Sequence, residues 1–484
     1  MLEAKFYAMQ CGQTAAMYEV VQLIDGSWAP GTSGRTLTVS DPRDDNPVSR
    51  VPVASDADVA AAVRAARAAA PEWARTAPAA RAAALHAAAN AIEAAAGELA
   101  EIMAAEMGKP VDGARDSIGA GVGTLRQYAE LGPTHRGRAL AGNDDAIDLM
   151  AYRPRGVVAV ITPWNDPVAV SCGLLGAALV TGNTVVHKPS ERTPATGWRL
   201  AELIAPHLPD GVLSVLHGDG PVGAALASSE VDVVAHVGST ATGRSIAAAC
   251  ARTGAKALLE NGGSDPLIVD AGADPGWAAG QAALGAFVNS GQICVAVERI
   301  YVHRDLAEPF TDALAAEAET WAKQIGPLVD RRLRETVHHQ VRAAVRDGAR
   351  LVCGGEIPSG AGAYYPPTVL AGCTDDMPVM REETFGPVAP VAVVDSFDEA
   401  LTRAADSPYG LAATVLTPSM SHAQRAWREL PVGTVKINAV FGGAPGGAAH
   451  PRRGSGQGFG YGPELLDELT TTTAVHLEAP PTGW

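Results

Sequence analysis

The 484-residue chain has only six cysteines, at positions 11, 172, 250, 294, 353 and 373, with no C-x-x-C pair and no cysteine–histidine cluster of zinc spacing. That absence argues against a disulfide framework or a structural zinc site, and no metal is expected. It also predicts free thiols in a reducing compartment, the cytoplasm. Positive charge is scarce: 37 Lys and Arg stand against 53 Asp and Glu, a net charge of −16. Such a balance lacks the basic footprint by which proteins hold nucleic acid or an anionic membrane surface. No apolar run is long enough for a bilayer, which needs about 20 residues. The longest, Val168 to Val180, reads as a buried helix. The opening MLEAKFYAMQCGQTAAMYEV has one lysine and no signal-type apolar stretch.

What is present is apolar mass, 47% hydrophobic against 19% charged, enough for the cores of two to four domains. Residues 1–19 read as an N-terminal arm, with Met17 a candidate start. From Ser55 the pattern turns helical. Ser55 and Asp58 form a capping box, Val59, Ala62, Val63 and Ala66 recur on one face, and alanine-rich helices run to about Glu130. From Val157 short β-branched runs alternate with helix-like stretches: VVAVIT, NTVVHKP, LSVLHG and VDVVAHVG. Strands alternating with helices imply a parallel sheet covered on both faces. A second set follows residue 261, LIVDA, RIYVH, PVAPVAVV, AATVLT and TVKIN, and predicts another α/β domain.

Three residues bring chemistry. Cys294 follows a Gly-Gln turn in FVNSGQICVAVER, Glu260 ends the strand-like AKALLE before two glycines, and Asn165 follows the strand VVAVIT. Singly they read as a packed thiol, a surface carboxylate and a turn amide. Together they supply the nucleophile, base and oxyanion donor that acyl chemistry requires. The pair His338 and His339 sits in a helix whose buried face is marked by Leu333, Val337 and Val341, and reads as a solvated surface.

Six ordered motifs carry a resemblance: ITPWN at 161–165, KPSERTP at 188–194, GSTATG at 238–243, LENGG at 259–263, GQIC at 291–294 and EETFGPV at 382–388. Over nearly its whole length the chain resembles the aldehyde dehydrogenase superfamily, and the 34 residues between Glu260 and Cys294 suit it. The resemblance implies an α/β fold with a Rossmann-type cofactor domain (20–136 and 155–260) and an α/β catalytic domain (261–444). It also implies a small β oligomerisation arm (137–154 with 445–484), making the protein a homodimer or homotetramer. It makes Cys294 the nucleophile that becomes a thioester, Asn165 the oxyanion donor and Glu260 the base that activates water. Thr162, Trp164, Lys188, Ser190, Glu191, Gly223, Gly238, Ser239, Glu383 and Phe385 would hold the cofactor. That cofactor is NAD, favoured by a carboxylate at Glu191, with NADP also possible. G-x-G-x-x-G at Gly218, Gly220 and Gly223 is by itself a weak signal.

The chain departs from the family pattern in carrying Asn261 and Ser264 in place of the usual Leu and Lys, so Asn261 is expected to affect how Glu260 swings. Asp166 replaces an aromatic, and Ala449 stands where another is usual. The substrate tunnel, lined by Asp166, Ile293, Val295 and His450, should therefore be wide and polar and admit bulky or hydroxylated aldehydes. His450, Arg452 and Arg453 are candidates to meet an anionic substrate. Rival readings are a CoA-acylating semialdehyde dehydrogenase, a cofactor-free thiol esterase, and a binding protein that kept the fold. Mass spectrometry of the native N-terminus decides between Met1 and Met17 as the start.

Overall fold

A computed structural model describes residues 17–443 and 447–480, so the proposed arm before Met17, part of the GGAPGG loop and the last four residues lie outside it. Its centre is two sheets. The first has eight strands in the order Gly456–Gln457, Lys256–Glu260, Val233–Val237, Val157–Ile161, Thr184–Lys188, Leu213–Val215, Gln22–Ile24 and Ser27–Ala29. Its five central strands are parallel, as the alternation of strand and helix predicts. Successive side chains of one strand enter opposite cores: Val158 and Val160 pack on one face, Val157, Ala159 and Ile161 on the other. Helices Pro78–Ala94, Val111–Leu131 and Pro167–Val180 cover the first face, and Asp56–Arg75, Gly220–Ala227 and Thr240–Thr253 cover the second.

The capping box at Ser55 and Asp58 is formed, and Val59, Ala62, Val63 and Ala66 are buried. Helix Pro167–Val180 is buried along its length. Among the described residues no helix is long and apolar enough to cross a membrane.

The second sheet has seven strands: Arg350–Cys353, Thr368–Ala371, Val388–Val394, Val297–His303, Asp265–Val269, Ala412–Leu416 and Thr434–Ile437. All pair in parallel except the first. A third sheet joins Arg138–Leu140, Ala146–Pro154 and the tail strand Thr470–Glu478, which leaves Thr470–Glu478 as an exposed edge.

Three features differ from the sequence reading. Tyr18–Glu19 pairs with Ser49 and Arg50 in a small sheet with Thr36–Ser40, so the end of the expected arm is built into the domain. After leaving the second sheet the chain returns to the first: Gly456–Gln457 pairs with Leu259 and Glu260. Leu465, Leu466 and Leu469 then join the first domain's core, so the described residues 447–469 are not merely an arm. Two-residue strands carry too little pattern to be read from periodicity.

Glu106, fully buried, joins helix Ala96–Met107 to the segment after Lys188. It accepts hydrogen bonds from Ser49 Oγ, the Ala195 and Thr196 amides, and Thr196 Oγ1 at 2.6–2.9 Å. Burial pushes its carboxyl up to about 7, against the pull of these donors. Replacing Glu106 by Ala leaves buried donors without partners and should cost about 3 kcal/mol or more. Denaturant unfolding is expected to show that loss.

Candidate active site

The site lies at the seam between the two large sheets. The first sheet presents carboxyl ends of strands: Thr162 to Asn165 after Val157–Ile161, Lys188 at the end of Thr184–Lys188, Gly238 after Val233–Val237, and Glu260. The second presents amino ends. Cys294 precedes Val297–His303, and Glu383 with Phe385 precedes Val388–Val394. Ligands ordinarily gather at strand carboxyl ends in such sheets, and only one of the two sheets follows that rule here.

Cys294 is set up by an unusual turn. Asn289, Ser290 and Gly291 all have left-handed backbones, with φ of 51°, 57° and 73°. For the two non-glycine residues this costs roughly 1 kcal/mol or more each. The turn is held by side chains. Gln292 donates to the Asn289 carbonyl (3.0 Å) and accepts from the Val329 amide (2.9 Å). Ser290 Oγ donates to Gly326 O at 2.7 Å. Asn165 Nδ2 and Asn289 Nδ2 both donate to the Gln292 carbonyl at 3.1 Å. Asn165 is thus locked to the turn that carries Cys294, and Ile293, Cys294 and Val295 stay partly accessible.

Glu260 Oε1 accepts the Gly460 amide at 3.1 Å. A Cβ on Gly460 would stand 2.3 Å from Glu260 Cγ, so only glycine lets the loop seat there. Asn261 anchors that same returning chain: its amide bonds Ser455 O (2.8 Å) and its side chain Gly454 O (3.1 Å). Ser264 is buried, and its carbonyl accepts from Arg299 Nε at 2.9 Å.

Glu383 crosses the seam to accept the Gly263 amide at 3.1 Å. Behind it the buried Glu298 accepts the amides of Thr384 (2.9 Å) and Phe385 (2.8 Å), holding Phe385 at φ 54°. Phe385 meets Trp164 edge-on at 5.5 Å, and Arg192 lies 5.2 Å above Trp164.

The electrostatics are one-sided. Burial pushes the Cys294 thiol up to about 12, reinforced by Glu260, Asp265 and Glu383. Burial raises Glu260 and Asp265 to about 8 each. Glu298 is also raised, first by burial and then by the charge of Glu383, and burial pushes Glu383 up to about 7 against the pull of the Gly263 amide.

The residues expected to hold the dinucleotide line one edge. Lys188, almost sealed, donates to Pro189 O (2.8 Å) and Gly218 O (2.9 Å) and lies 3.9 Å from Glu191. Ser190 Oγ accepts the Arg192 amide at 3.3 Å, and Gly223 packs on the Lys188 stem. Thr162 Oγ1 meets His187 Nε2 at 2.9 Å inside the domain. Ser239 caps helix Thr240–Thr253, whose first amides are free to meet an anion.

His450 does not stand ready for a substrate. Its Nδ1 meets Pro451 O at 2.8 Å and its Nε2 accepts the Gly458 amide at 3.0 Å, so the ring fastens its own loop. Arg453 is likewise spent on the carbonyls of Ala405 and Ser407. His338 bonds Tyr365 at 3.2 Å. Sequence reasoning missed Gln292, Glu298 and Gly460. The glycine-rich GQGFGYG was the available hint for the last.

A parallel α/β domain facing a second domain that carries a partly accessible cysteine is an arrangement suited to an oxidoreductase. The family model described as "Aldehyde dehydrogenase family" matches residues 28–475. The mitochondrial aldehyde dehydrogenase of Leishmania tarentolae is 34% identical, covering 99% of this chain and 98% of that one. The crystal structure of an NAD-dependent aldehyde dehydrogenase from Sinorhizobium meliloti superposes with a TM-score of 0.92 at 35% identity, covering 97% of each chain. An indole-3-acetaldehyde dehydrogenase of P. syringae, solved with NAD+, gives 0.93 at 34% identity over 96% of this chain and 98% of that one. The chain belongs to the aldehyde dehydrogenase family and is an NAD(P)-dependent oxidoreductase that converts an aldehyde to a carboxylic acid.

Alkylation of Cys294 by iodoacetamide, followed on its own peptide by mass spectrometry, should still be rising with pH beyond 9. Glu260→Gln removes one negative neighbour and should move that profile to lower pH.

Proposed function

We propose that Cys294, Asn165 and Glu260 carry out a hydrolytic, non-acylating oxidation. The Cys294 thiol gives up its proton to solvent, and the thiolate sulfur attacks the aldehyde carbon. The resulting oxyanion is held by Asn165 Nδ2 and the Cys294 amide; such a donor is worth about 3 kcal/mol of barrier. NAD(P)+, when bound, supplies the hydride acceptor, and oxidation leaves a thioester on Cys294. Glu260 then takes a proton from water, the water oxygen bonds the acyl carbon, the C–S bond breaks and the acid departs. A carboxyl held near pH 8 is a stronger base than an ordinary one, which suits it to this step. The observation that carries the reading is the Asn165 bond to the Gln292 carbonyl, two residues before the thiol.

The residues fit the cofactor. Lys188 and Glu191 are paired for the adenosine ribose, the Ser239-capped helix end and Gly238 for the pyrophosphate, and Glu383 and Phe385 for the nicotinamide side. Thr162, Trp164, Ser190 and Gly223 complete that wall. The excess of carboxylates suits the cationic oxidised ring. Glu191 would repel a 2′-phosphate, so NAD is preferred to NADP. The five described cysteines are unpaired, in keeping with the cytoplasm. The exposed edge Thr470–Glu478, with exposed Leu140, Ile147 and Leu477 on the same small sheet, supports a homodimer or a tetramer of dimers.

NADH release from an aldehyde panel, with and without CoA, tests the reaction. Acid should form without CoA. Cys294→Ala should give no NADH at all. Glu260→Gln should keep a first-turnover burst while its steady rate falls about a hundredfold or more. For the wild type the steady rate should climb with pH and level off above about 8, as Glu260 loses its proton. An unchanged steady rate in the Gln variant would remove the base from Glu260.

A further inference from the structure

Several polar groups beside the thiol have no part in the chemistry above. Asp166 follows Asn165 at the start of helix Pro167–Val180, but its side chain does not cap that helix. One of its oxygens accepts from Ser117 Oγ, and the other lies 3.9 Å from Lys109 Nζ, which itself donates to Ser117 at 3.0 Å. The carboxylate is still 36% exposed.

Gly173 lies seven residues on, two turns along the same helix face. Helix Val111–Leu131 matches this spacing with Ser117 and Thr124. Ser117 meets Asp166, and Thr124 Cγ2 lies 3.8 Å from where a Cβ on Gly173 would be. The missing side chain makes room for Tyr461, whose Cε1 is 3.0 Å from that same point. Tyr461 is also fixed from its own loop: the neighbouring Gly460 amide is bonded to Glu260, and Tyr128 donates its hydroxyl to Gly462 O at 3.3 Å. The ring is partly accessible. Burial, with the negative charges of Cys294, Asp166 and Glu260, holds the phenol far above its usual range, so it keeps its proton as a donor.

We infer that Tyr461 and Asp166 form a hydroxyl-recognition site, and that the preferred substrates are aldehydes with a hydroxyl on the second or third carbon. The inference rests on the proposed role of Cys294. A substrate hydroxyl satisfies both groups at once, donating to Asp166 and accepting from Tyr461. An ammonium group satisfies only one, because it has no lone pair for the phenol. Lys109 also already offsets part of the Asp166 charge, which weakens the pull on a cation.

The test compares kcat/KM for propanal, 2-hydroxypropanal, 3-hydroxypropanal and 3-aminopropanal with saturating NAD. One hydroxypropanal is expected to exceed propanal at least tenfold, with 3-aminopropanal below it. In Tyr461→Phe and in Asp166→Ala the hydroxy-to-propanal ratio should fall about threefold to tenfold, the worth of one hydrogen bond. Using the ratio cancels any general damage to the fold. Equal wild-type rates on propanal and both hydroxypropanals would overturn the proposal. So would variants that slow both substrates alike, or a preference for the amine. NADH from none of the four aldehydes would refute the role of Cys294 and this site with it.

Discussion

The structure depends on holding one thiol in a seam where regular backbone is impossible. Cys294 lies three residues after the last of three left-handed residues and three before a buried parallel strand. That conformation persists because it is over-determined. Gln292, Ser290 and Asn289 spend their side chains on the turn, and Asn165 reaches across from the other domain to the same carbonyl. The contact that fixes the Asn165 amide on the segment carrying Cys294 is therefore also one that steadies the turn.

The second constraint is charge. Glu260, Asp265, Glu298 and Glu383 converge on a buried volume, and burial raises every one of them. Carboxyls forced toward neutral pH are useful bases, since their affinity for a proton approaches that of the medium. The same burial suppresses the resting thiolate, which keeps an exposed, reactive sulfur from forming without its ligands. Lys436, held over Phe441, is a cation whose field reaches both Asp265 and Cys294.

Much of this was legible in the residues. Hydrophobic runs located most of the parallel strands of the two large cores, though not Thr368–Ala371, because a strand buried on both faces must be almost wholly apolar. The six motifs located Cys294, Glu260 and Asn165, each at a strand end. Less legible were short elements whose pairing is decided at long range. Tyr18–Glu19 and Gly456–Gln457 are too brief to show a period, and each is a strand only because a partner edge is waiting. His450 looked available in a flexible glycine-rich stretch, but folding brings Gly458 onto its ring. Asn261 fastens the chain that carries Gly460, a contact across 193 residues that no local pattern shows.

The order of residues determined by itself the two α/β cores, the acidic surface balance, the thiol and its carboxylate. These follow from composition, local periodicity and short motifs, which act between near neighbours. Tertiary structure alone decided which strand ends face which, that carboxyl ends of one sheet meet amino ends of the other, and that Tyr461 lies over Gly173. Those outcomes depend on contacts between segments hundreds of residues apart, and no local pattern encodes a distance across the fold.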